Sequence, residues 1–330
     1  MDYNKINKIY SNIKSGKTLK ENAENLGITD IELYGLIELL NTLYNKKIEL
    51  ITTDDNEIVI MKKQIRKVQK EIKPPKEECI YSKFLLVSDT HLGNNRQQLH
   101  ILNDLYEIAY QKEIDTVYHC GDLVDGDYSI VRKEQPRQVF LHGFDEQAGY
   151  VVDMYPQING ITTKFILGSH DETHYKNGQA TLGYWIPKCR SKDMIYLGQD
   201  QVLEEMNGVK IMLDHPGGGS AYALSYNPQK RIEELESGYK PKLLAIGHYH
   251  KFYTSTYRNV HVIEVPCTCD KTPFQIKKGL SNIVGGVFVE CWSDEKGNIE
   301  YLSCEEKLYG REDMWDEVGK DAHKVKRLVR

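Results

Sequence analysis

The sequence predicts an α/β protein preceded by a small helical domain, and three observations support this class. The first 60 residues fit three amphipathic helices followed by a β hairpin. From residue 83 onward, short apolar strands alternate with helical stretches. Five of these strands end in Asp or His residues, and sites in open α/β sheets assemble beyond the carboxyl ends of the strands.

Residues 1–61 are predicted to form a winged helix-turn-helix-like domain. The pattern predicts a first helix that ends at Gly16. A second helix is expected to begin at the N-cap Thr18, with Glu21 three residues later in a capping box, and to end at Gly27. Together with the elements that follow, this order of helices and strands resembles a winged helix-turn-helix.

The third helix of this domain is predicted over residues 30–47 and is followed by a hairpin that turns at residues 54–56. Up to residue 60 the chain has 7 Lys and Arg against 10 Asp and Glu. A helix that enters a DNA major groove is normally basic. Two roles therefore stay open: duplex binding, or protein contact and dimerisation.

A basic linker is predicted over residues 62–80, because Pro74-Pro75 stops any helix and residues 62–78 hold 7 basic and 3 acidic side chains. It serves either as a solvated tether or as a strap that follows a phosphate backbone. The larger domain is predicted over residues 81–305, and residues 306–330 are expected to form a C-terminal helix or tail.

The composition is that of an ordinary soluble globular protein. The 330 residues carry 43 basic and 48 acidic side chains, a formal net charge of −5, which excludes a general nucleic-acid coat protein. No apolar run approaches the roughly 18 residues of a membrane span, and the polar first ten residues are unlike a signal peptide. An odd number of cysteines, 7, fits free thiols in a reducing compartment. We expect a cytoplasmic protein with no membrane partner.

The larger domain contains five apolar runs that end in potential metal ligands, and a helix is expected between the first two, at about residues 96–112. Parallel strands place their carboxyl ends at one edge, so the five ends predict one shared site. The motifs at these ends are Asp89-Thr90-His91, Gly121-Asp122-Leu123-Val124-Asp125, Gly168-Ser169-His170-Asp171, Asp214-His215 and Gly247-His248-Tyr249-His250.

In this order, the five motifs resemble the signature of the calcineurin-like metallophosphoesterase superfamily, DxH, GDxxD, GN-H-[DE], H and GHxH. The resemblance covers about residues 83–293 and implies a four-layer α/β/β/α sandwich. It also implies two divalent metal ions, Mn in first place with Fe, Ni or Zn as alternatives, and hydrolysis of a phosphoester by metal-activated hydroxide. Such a pair of ions needs oxygen and imidazole ligands and one bridging carboxylate.

The resemblance also implies a role for each motif residue. His170 would act on the transferring phosphoryl group or the leaving oxygen without ligating a metal, and Asp125 would orient it. The implied metal ligands are Asp89, His91 and His250 for the first ion, Asp122 as the bridge, and His215, His248 and Ser169 for the second ion.

Ser169 departs from the family pattern, which has Asn at this position. A hydroxyl is shorter than an amide and generally a poorer ligand. Three alternatives follow: Ser169 binds the second metal directly, it binds through a water molecule, or the second site is weakened.

Substrate contacts are expected in two further places. The loop Gly217-Gly218-Gly219-Ser220 precedes a predicted helix at residues 223–235, where it would cradle a phosphate or simply form a tight turn. His174 follows the third motif and is expected either to contact the substrate or to have a structural role.

We expect a phosphodiester substrate, with DNA or RNA favoured, because a winged-helix-like domain and a basic linker suit a polymer. One alternative is a phosphomonoesterase or cyclic-nucleotide phosphodiesterase that acts on small molecules or phosphoproteins. Another is a non-catalytic binding subunit, similar to the phosphoesterase-like small subunits of replicative DNA polymerases, although those have lost metal ligands.

Overall fold

The computed structural model describes residues 3–44, 46–53, 55–62, 79–236 and 238–315. These residues have a mixed α/β fold and divide into two compact units. The first unit contains residues 3–62 and 156–159, and the second contains the rest. Most of the predicted linker and residues 316–330 of the predicted C-terminal segment lie outside the described residues.

The first unit combines helices with a three-stranded antiparallel sheet of order β1-β3-β2. Its buried core includes Leu33, Ile37 and Ile60, which join one helix to the sheet. The elements are α1 (Tyr3–Asn12), β1 (Lys17–Thr18), α2 (Leu19–Leu26), α3 (Asp30–Tyr44), β2 (Ile48–Thr52) and β3 (Ile58–Lys62).

The predicted capping signals of α2 are confirmed. Thr18 Oγ1 accepts from the Glu21 N–H at 3.1 Å, the Glu21 carboxylate accepts from the Thr18 N–H at 2.8 Å, and Gly27 follows with φ 68°. Helix α1 ends at Asn12, earlier than predicted, because the Lys14 N–H donates to Asn22 Oδ1 at 2.6 Å and so does not continue the helical hydrogen bonds. The winged helix-turn-helix-like identity of this unit, and its role toward DNA or a partner, stay predictions.

The second unit contains two sheets. The six-stranded sheet has the order β14-β13-β4-β5-β6-β7, and the five-stranded sheet has the order β11-β12-β10-β9-β8. The elements are β4 (Ile80–Val87), α4 (Leu99–Gln111), β5 (Thr116–Cys120), α5 (Gly143–Met154), β6 (Thr162–Leu167), α6 (Glu172–Gly178), α7 (Leu182–Cys189), β7 (Met194–Gln199), β8 (Gln201–Met206), β9 (Val209–Asp214), α8 (Tyr226–Glu234), β10 (Leu243–Ile246), β11 (Tyr253–Tyr257), β12 (Val260–Glu264), α9 (Pro273–Lys277), β13 (Gly285–Ser293) and β14 (Ile299–Leu308). Strand β14 extends past the predicted domain boundary at residue 305.

The two sheets pack face to face and form the main core of this unit. Phe84 and Ile166 of the six-stranded sheet share one buried cluster with Ile211 and Ile263 of the five-stranded sheet. Helices α4 and α7 contact the six-stranded sheet, and α8 contacts the five-stranded sheet. Ile232 of α8 belongs to a second apolar cluster on that sheet. This layering is the mixed α/β sandwich that the motifs imply.

The topology brings the motif-bearing strand ends to one place. Strands β4, β5 and β6 are parallel neighbours in one sheet, and β9, β10 and β12 are parallel neighbours in the other. Each of the five motifs lies at the carboxyl end of one of these strands, as predicted. None of the helices in the described ranges has the length and apolar character needed to cross a membrane.

Candidate metal centre

Buried carboxylates and imidazoles from both sheets meet at the carboxyl ends of these strands. Asp122 Oδ2 lies 3.1 Å from His215 Nε2, and Asp89 Oδ1 lies 3.2 Å from His250 Nε2. His91 Nε2 lies 3.3 Å from His250 Nε2. All five side chains are buried. The structure therefore brings together residues that are up to 161 positions apart in the sequence.

Asp122 is common to two sets of potential ligand atoms. It forms one set with His215 and His248 and another with His91 and His170, and within each set all ligand atoms lie within 4.8 Å of one another. A carboxylate has two oxygens and can ligate two ions at once. This arrangement is the one expected of a bridging ligand.

Several buried polar atoms of this cluster lie close to a charged neighbour but make no hydrogen bond of good geometry with the described residues: Asp89 Oδ1, His91 Nδ1 and His215 Nε2. A buried polar atom without a partner costs roughly 1–3 kcal/mol. Carboxylate oxygens and neutral imidazole nitrogens are ligands for divalent transition metals. The residues present therefore fit bound divalent cations.

Backbone carbonyls fix the orientation of two of these imidazoles. His215 Nδ1 donates to the carbonyl of Cys120 at 2.7 Å, and His248 Nε2 donates to the carbonyl of Gly218 at 2.7 Å. In each neutral ring the other nitrogen is then unprotonated. Hydrogen bonds of this kind orient histidine ligands in metal sites.

The charges of the cluster are strongly coupled. Burial raises the pKa of Asp89 and Asp122, but the neighbouring histidines outweigh burial and hold both pKa values below their usual range. Burial lowers the pKa of His215, but Asp122 and Asp89 raise it to about 10. The site thus holds positive charge between its carboxylates, as protons on imidazoles or as divalent cations that replace those protons.

Left-handed backbone is concentrated at the predicted ligands. Asp89, His91, Asp122, His248 and His250 have φ values between 42° and 75°. Such conformations cost on the order of 1–3 kcal/mol each in non-glycine residues and cluster at functional sites. The rest of the fold therefore holds these five residues in place at a local cost in conformational free energy.

Two motif glycines allow the strand ends to approach each other. A Cβ atom on Gly121, which has φ 92°, would lie 2.4 Å from His215 Nδ1. A Cβ atom on Gly168 would lie 2.4 Å from Asp122 Oδ1. Any larger residue at these positions would displace the carboxylate and the imidazole from their present positions.

His170 is oriented by backbone groups. The backbone N–H of His170 donates to Asp122 Oδ1 at 2.8 Å, and the ring nitrogen Nδ1 donates to the backbone carbonyl of Asp125 at 2.7 Å. The Asp125 carboxylate lies 3.8 Å from the same His170 nitrogen and 3.5 Å from His91 Nδ1, and it accepts from Asn94 Nδ2 at 2.9 Å. The hydrogen bond between Asp125 and His170 is thus made by the carbonyl, with the carboxylate close by. The orienting role of Asp125 stays a prediction. Burial lowers the pKa of His170 to about 4.

Ser169 lies between β6 and His170 and is half-buried. Its backbone carbonyl accepts from the Tyr128 hydroxyl at 3.2 Å. Ligation of a metal by the Ser169 hydroxyl stays a prediction.

The site opens into a cavity of about 400 Å³, which is within the range of small-molecule sites. Of the predicted phosphate loop, Gly218, Gly219 and Ser220 line this cavity, but Gly217 does not. His174, a predicted substrate contact, does not line it either. Its side chain is buried, with Nε2 3.0 Å from Gln147 Oε1, because α6 packs it inward.

Sequence reasoning missed the residues around His250 Nδ1. Cys269 Sγ lies 3.8 Å and Gln275 Nε2 3.1 Å from this nitrogen. The sequence also assigns no role to Asp171. Its buried carboxylate accepts hydrogen bonds from the backbone N–H groups of Leu123, Val124 and Gly168, and so connects the second motif to the third. The signal that could have revealed this role is the position of Asp171 at the end of the third motif.

Solved structures to which this chain is similar include an archaeal phosphodiesterase, with 16% identity and a TM-score of 0.38 over 69% of this chain and 100% of that chain. Another is Vps29 from Entamoeba histolytica in complex with zinc, with 11% identity and a TM-score of 0.33 over 69% of this chain and 100% of that chain. A third is a 5′-nucleotidase precursor from Thermus thermophilus, with 11% identity and a TM-score of 0.39 over 76% of this chain and 58% of that chain.

No curated protein matches this chain. The sequence model of the calcineurin-like phosphoesterase family matches residues 82–252, which contain all five motifs. This match covers 171 of the 330 residues, more than half of the chain. The protein therefore belongs to the calcineurin-like phosphoesterase family.

Proposed function

We propose that the protein is a phosphodiesterase with two divalent metal ions in its site, and that DNA or RNA is its favoured substrate class. The observation that carries the proposal is the position of Asp122, whose carboxylate lies within ligand distance of His215 and His248, proposed for one ion, and of His91, proposed for the other. Unpartnered buried atoms on Asp89 and His215 support the same assignment, since cations would satisfy them.

In this proposal the ligands are divided as the family motifs suggest, with Mn²⁺ as the first candidate ion and Fe, Ni or Zn as alternatives. When bound, such ions would neutralise charge on phosphate oxygens and lower the pKa of a water molecule that binds to them. The proposed ligands are Asp89, His91 and His250 for the first ion, Asp122 as the bridge, and His215, His248 and Ser169 for the second.

His170 is proposed as the proton-transferring residue. It lines the cavity, and its Nδ1 proton is held by the Asp125 carbonyl. Nε2 is therefore the nitrogen that faces the substrate, where it would contact the phosphoryl group or, once the ring has taken up a second proton, pass that proton to the leaving oxygen. Asp125 acts as a positioning residue, through its carbonyl on His170 and its carboxylate beside His91.

The cavity supports a diester substrate. Its volume of about 400 Å³ exceeds what a phosphate group needs. Besides the metal-centre residues, the loop Gly218–Ser220 contributes to its wall, as do Thr272, Phe274, Gln275, Lys278 and Leu280. A phosphodiester has two substituents, and these walls leave room for both. The basic residues 62–78 further favour a polymer substrate.

Mn²⁺-dependent turnover of bis-p-nitrophenyl phosphate, compared with p-nitrophenyl phosphate, tests this function. We expect higher turnover of the diester and about two metal ions per chain in elemental analysis. Faster monoester hydrolysis would contradict the diester preference. A purified protein without Mn, Fe, Ni or Zn, and without turnover of either ester after these metals are added, would contradict the enzymatic function itself.

A further inference from the structure

A guanidinium group lies between two aromatic rings beside the metal centre. The central carbon of Arg132 is 4.5 Å from the ring centre of Tyr128 and 4.6 Å from that of Phe274. Contacts of this kind between a cation and an aromatic face are attractive and restrict the side chain. Arg132 and Phe274 are 142 residues apart, so the fold itself creates the arrangement.

The same rings connect Arg132 to the reactive part of the site. The Tyr128 ring lies 4.7 Å from the His170 ring, centre to centre, in an edge-to-face contact. Arg132 and Phe274 line the same cavity as His170 and Asp122. A group bound by Arg132 would therefore be a near neighbour of a phosphate held at the metal centre.

Arg132 has no hydrogen bond or ion pair through its side chain with any residue that the structure describes. The two ring contacts use none of the N–H donors of the guanidinium, which lie in the plane of the group and remain available to an anion. Planar donors of this kind match phosphate oxygens in pairs. Arg132 is thus held in place with its donors unused.

A second cation lines the cavity near these rings. Lys278 follows helix α9 and is exposed, and within the described residues its ammonium has no carboxylate partner. Glu134 also lines the cavity, so the three side chains together carry a net charge of +1. This part of the wall favours an anionic group over a neutral one.

We infer that Arg132, assisted by Lys278, binds a second phosphate of the substrate, next to the one that is hydrolysed. The substrate class is then a nucleotide diester with a further phosphate, such as a segment of an oligonucleotide. This inference rests on the proposed function, which supplies the first phosphate position. Arg132 contributes to substrate binding and takes no part in bond breaking.

The turnover experiment uses thymidine 5′-(p-nitrophenyl phosphate) with and without a 3′-phosphate. The opposite polarity is tested with thymidine 3′-(p-nitrophenyl phosphate) with and without a 5′-phosphate. Water replaces p-nitrophenolate at phosphorus in every case. In one polarity, we expect the added phosphate to lower KM about tenfold with little change in kcat, because it adds binding equally to the ground and transition states.

The KM advantage is the factor by which the added phosphate lowers KM. In Arg132→Gln this factor should fall to about twofold or less, and in Lys278→Gln it should lie between that value and the wild-type value. Lys277→Gln is the matched control, because it removes the same charge from the neighbouring residue, which does not line the cavity, and it should keep the full advantage. An unchanged thermal midpoint shows that Arg132→Gln folds. An equal KM advantage in wild type and Arg132→Gln would overturn the assignment.

A binding measurement separates this inference from the proposed function. By calorimetry, the Mn²⁺-loaded protein should bind thymidine 3′,5′-bisphosphate about tenfold more tightly than either thymidine monophosphate, and Arg132→Gln should lose this gain. If that gain is present while no diester is hydrolysed, the phosphate subsite stands and the proposed function fails. If diesters are hydrolysed but the second phosphate adds neither affinity nor a lower KM in either polarity, the subsite is refuted and the function stands.

Discussion

Asp122 and His215 connect the two sheets of the phosphoesterase unit at its metal centre, with 3.1 Å between Asp122 Oδ2 and His215 Nε2. Asp122 follows β5 of the six-stranded sheet, and His215 follows β9 of the five-stranded sheet. The other carboxylate oxygen of Asp122 accepts a hydrogen bond from the backbone N–H of His170 at 2.8 Å. The Asp122 carboxylate thus contacts groups from two other strand ends, so its substitution is a direct test of the metal assignment.

The substitution Asp122→Asn keeps the size of this side chain but removes its charge and one of its two acceptor oxygens. Because a bridging ligand serves both ions, we expect metal content to fall and Mn²⁺-dependent diester turnover to drop more than about 100-fold. Elemental analysis and bis-p-nitrophenyl phosphate hydrolysis measure the two effects. Asp153→Asn, at an exposed position of α5, is the matched control and should match wild type. Turnover that survives in Asp122→Asn would mean that the metal assignment is wrong.

Ser169→Asn restores the amide that the family pattern has at this position. An amide oxygen reaches farther than a hydroxyl and is a better ligand for a divalent ion, so we expect affinity for the second ion to rise and diester turnover to stay the same or increase. Titration of the chelated protein with Mn²⁺, followed by turnover, measures this. A large loss of turnover with unchanged folding would show that the pocket beside His170 is shaped for serine and that the second ion is not ligated from this position.

The sequence predicts most of this centre because its chemistry is local to strand ends. Asp89 and His91, for example, follow one apolar strand, and only the topology was needed to bring them beside His250. The contact of the Asp125 carbonyl with His170 could not be predicted, because it depends on the backbone conformation after β5. Arg132 lies in a loop without a periodic pattern and Phe274 lies in the five-residue helix α9, so no sequence signal marks their contact.

Metal binding should also stabilise the fold. Unpartnered buried atoms on Asp89, His91 and His215 would gain partners in the native state only. A ligand present at about 100 times its Kd stabilises by roughly 2.7 kcal/mol, which corresponds to a rise in Tm of about 5–10 °C for a unit of this size. Scanning calorimetry of chelated protein with and without added Mn²⁺ measures this rise. Asp122→Asn should show a much smaller one, and an equal rise in both proteins would place the binding ion elsewhere.

His170→Asn tests the distinction between a ligand and a proton-transferring residue, since His170 lies within ligand distance of Asp122 and His91. If His170 acts on the leaving oxygen, kcat for the diester should fall by about 10²–10⁴ while metal content stays at the wild-type value. Elemental analysis beside steady-state kinetics separates the two effects. His142→Asn, an exposed histidine before α5, is the control. A loss of metal in His170→Asn would reassign this residue as a ligand.

Glu264 makes stability depend on pH independently of the metal centre. It is 3% exposed at the end of β12, and its Oε2 has no hydrogen-bond partner among the described residues. Burial raises its pKa to about 7, although the positive charge of Lys251 offsets part of this rise. The unfolded chain releases this proton near its ordinary value of 4.5, whereas the native protein holds it until about pH 7. Stability is therefore lost as the pH rises through this window.

The substitution Glu264→Gln removes this dependence, because glutamine stays neutral at every pH. Its free energy of unfolding relative to wild type should increase by about 2–3 kcal/mol between pH 5 and pH 8. Urea denaturation at the two pH values measures this increase, with Glu205→Gln at an exposed position of β8 as the control that should show none. A difference from wild type that does not change with pH would mean that Glu264 is ionised in the native protein at both values.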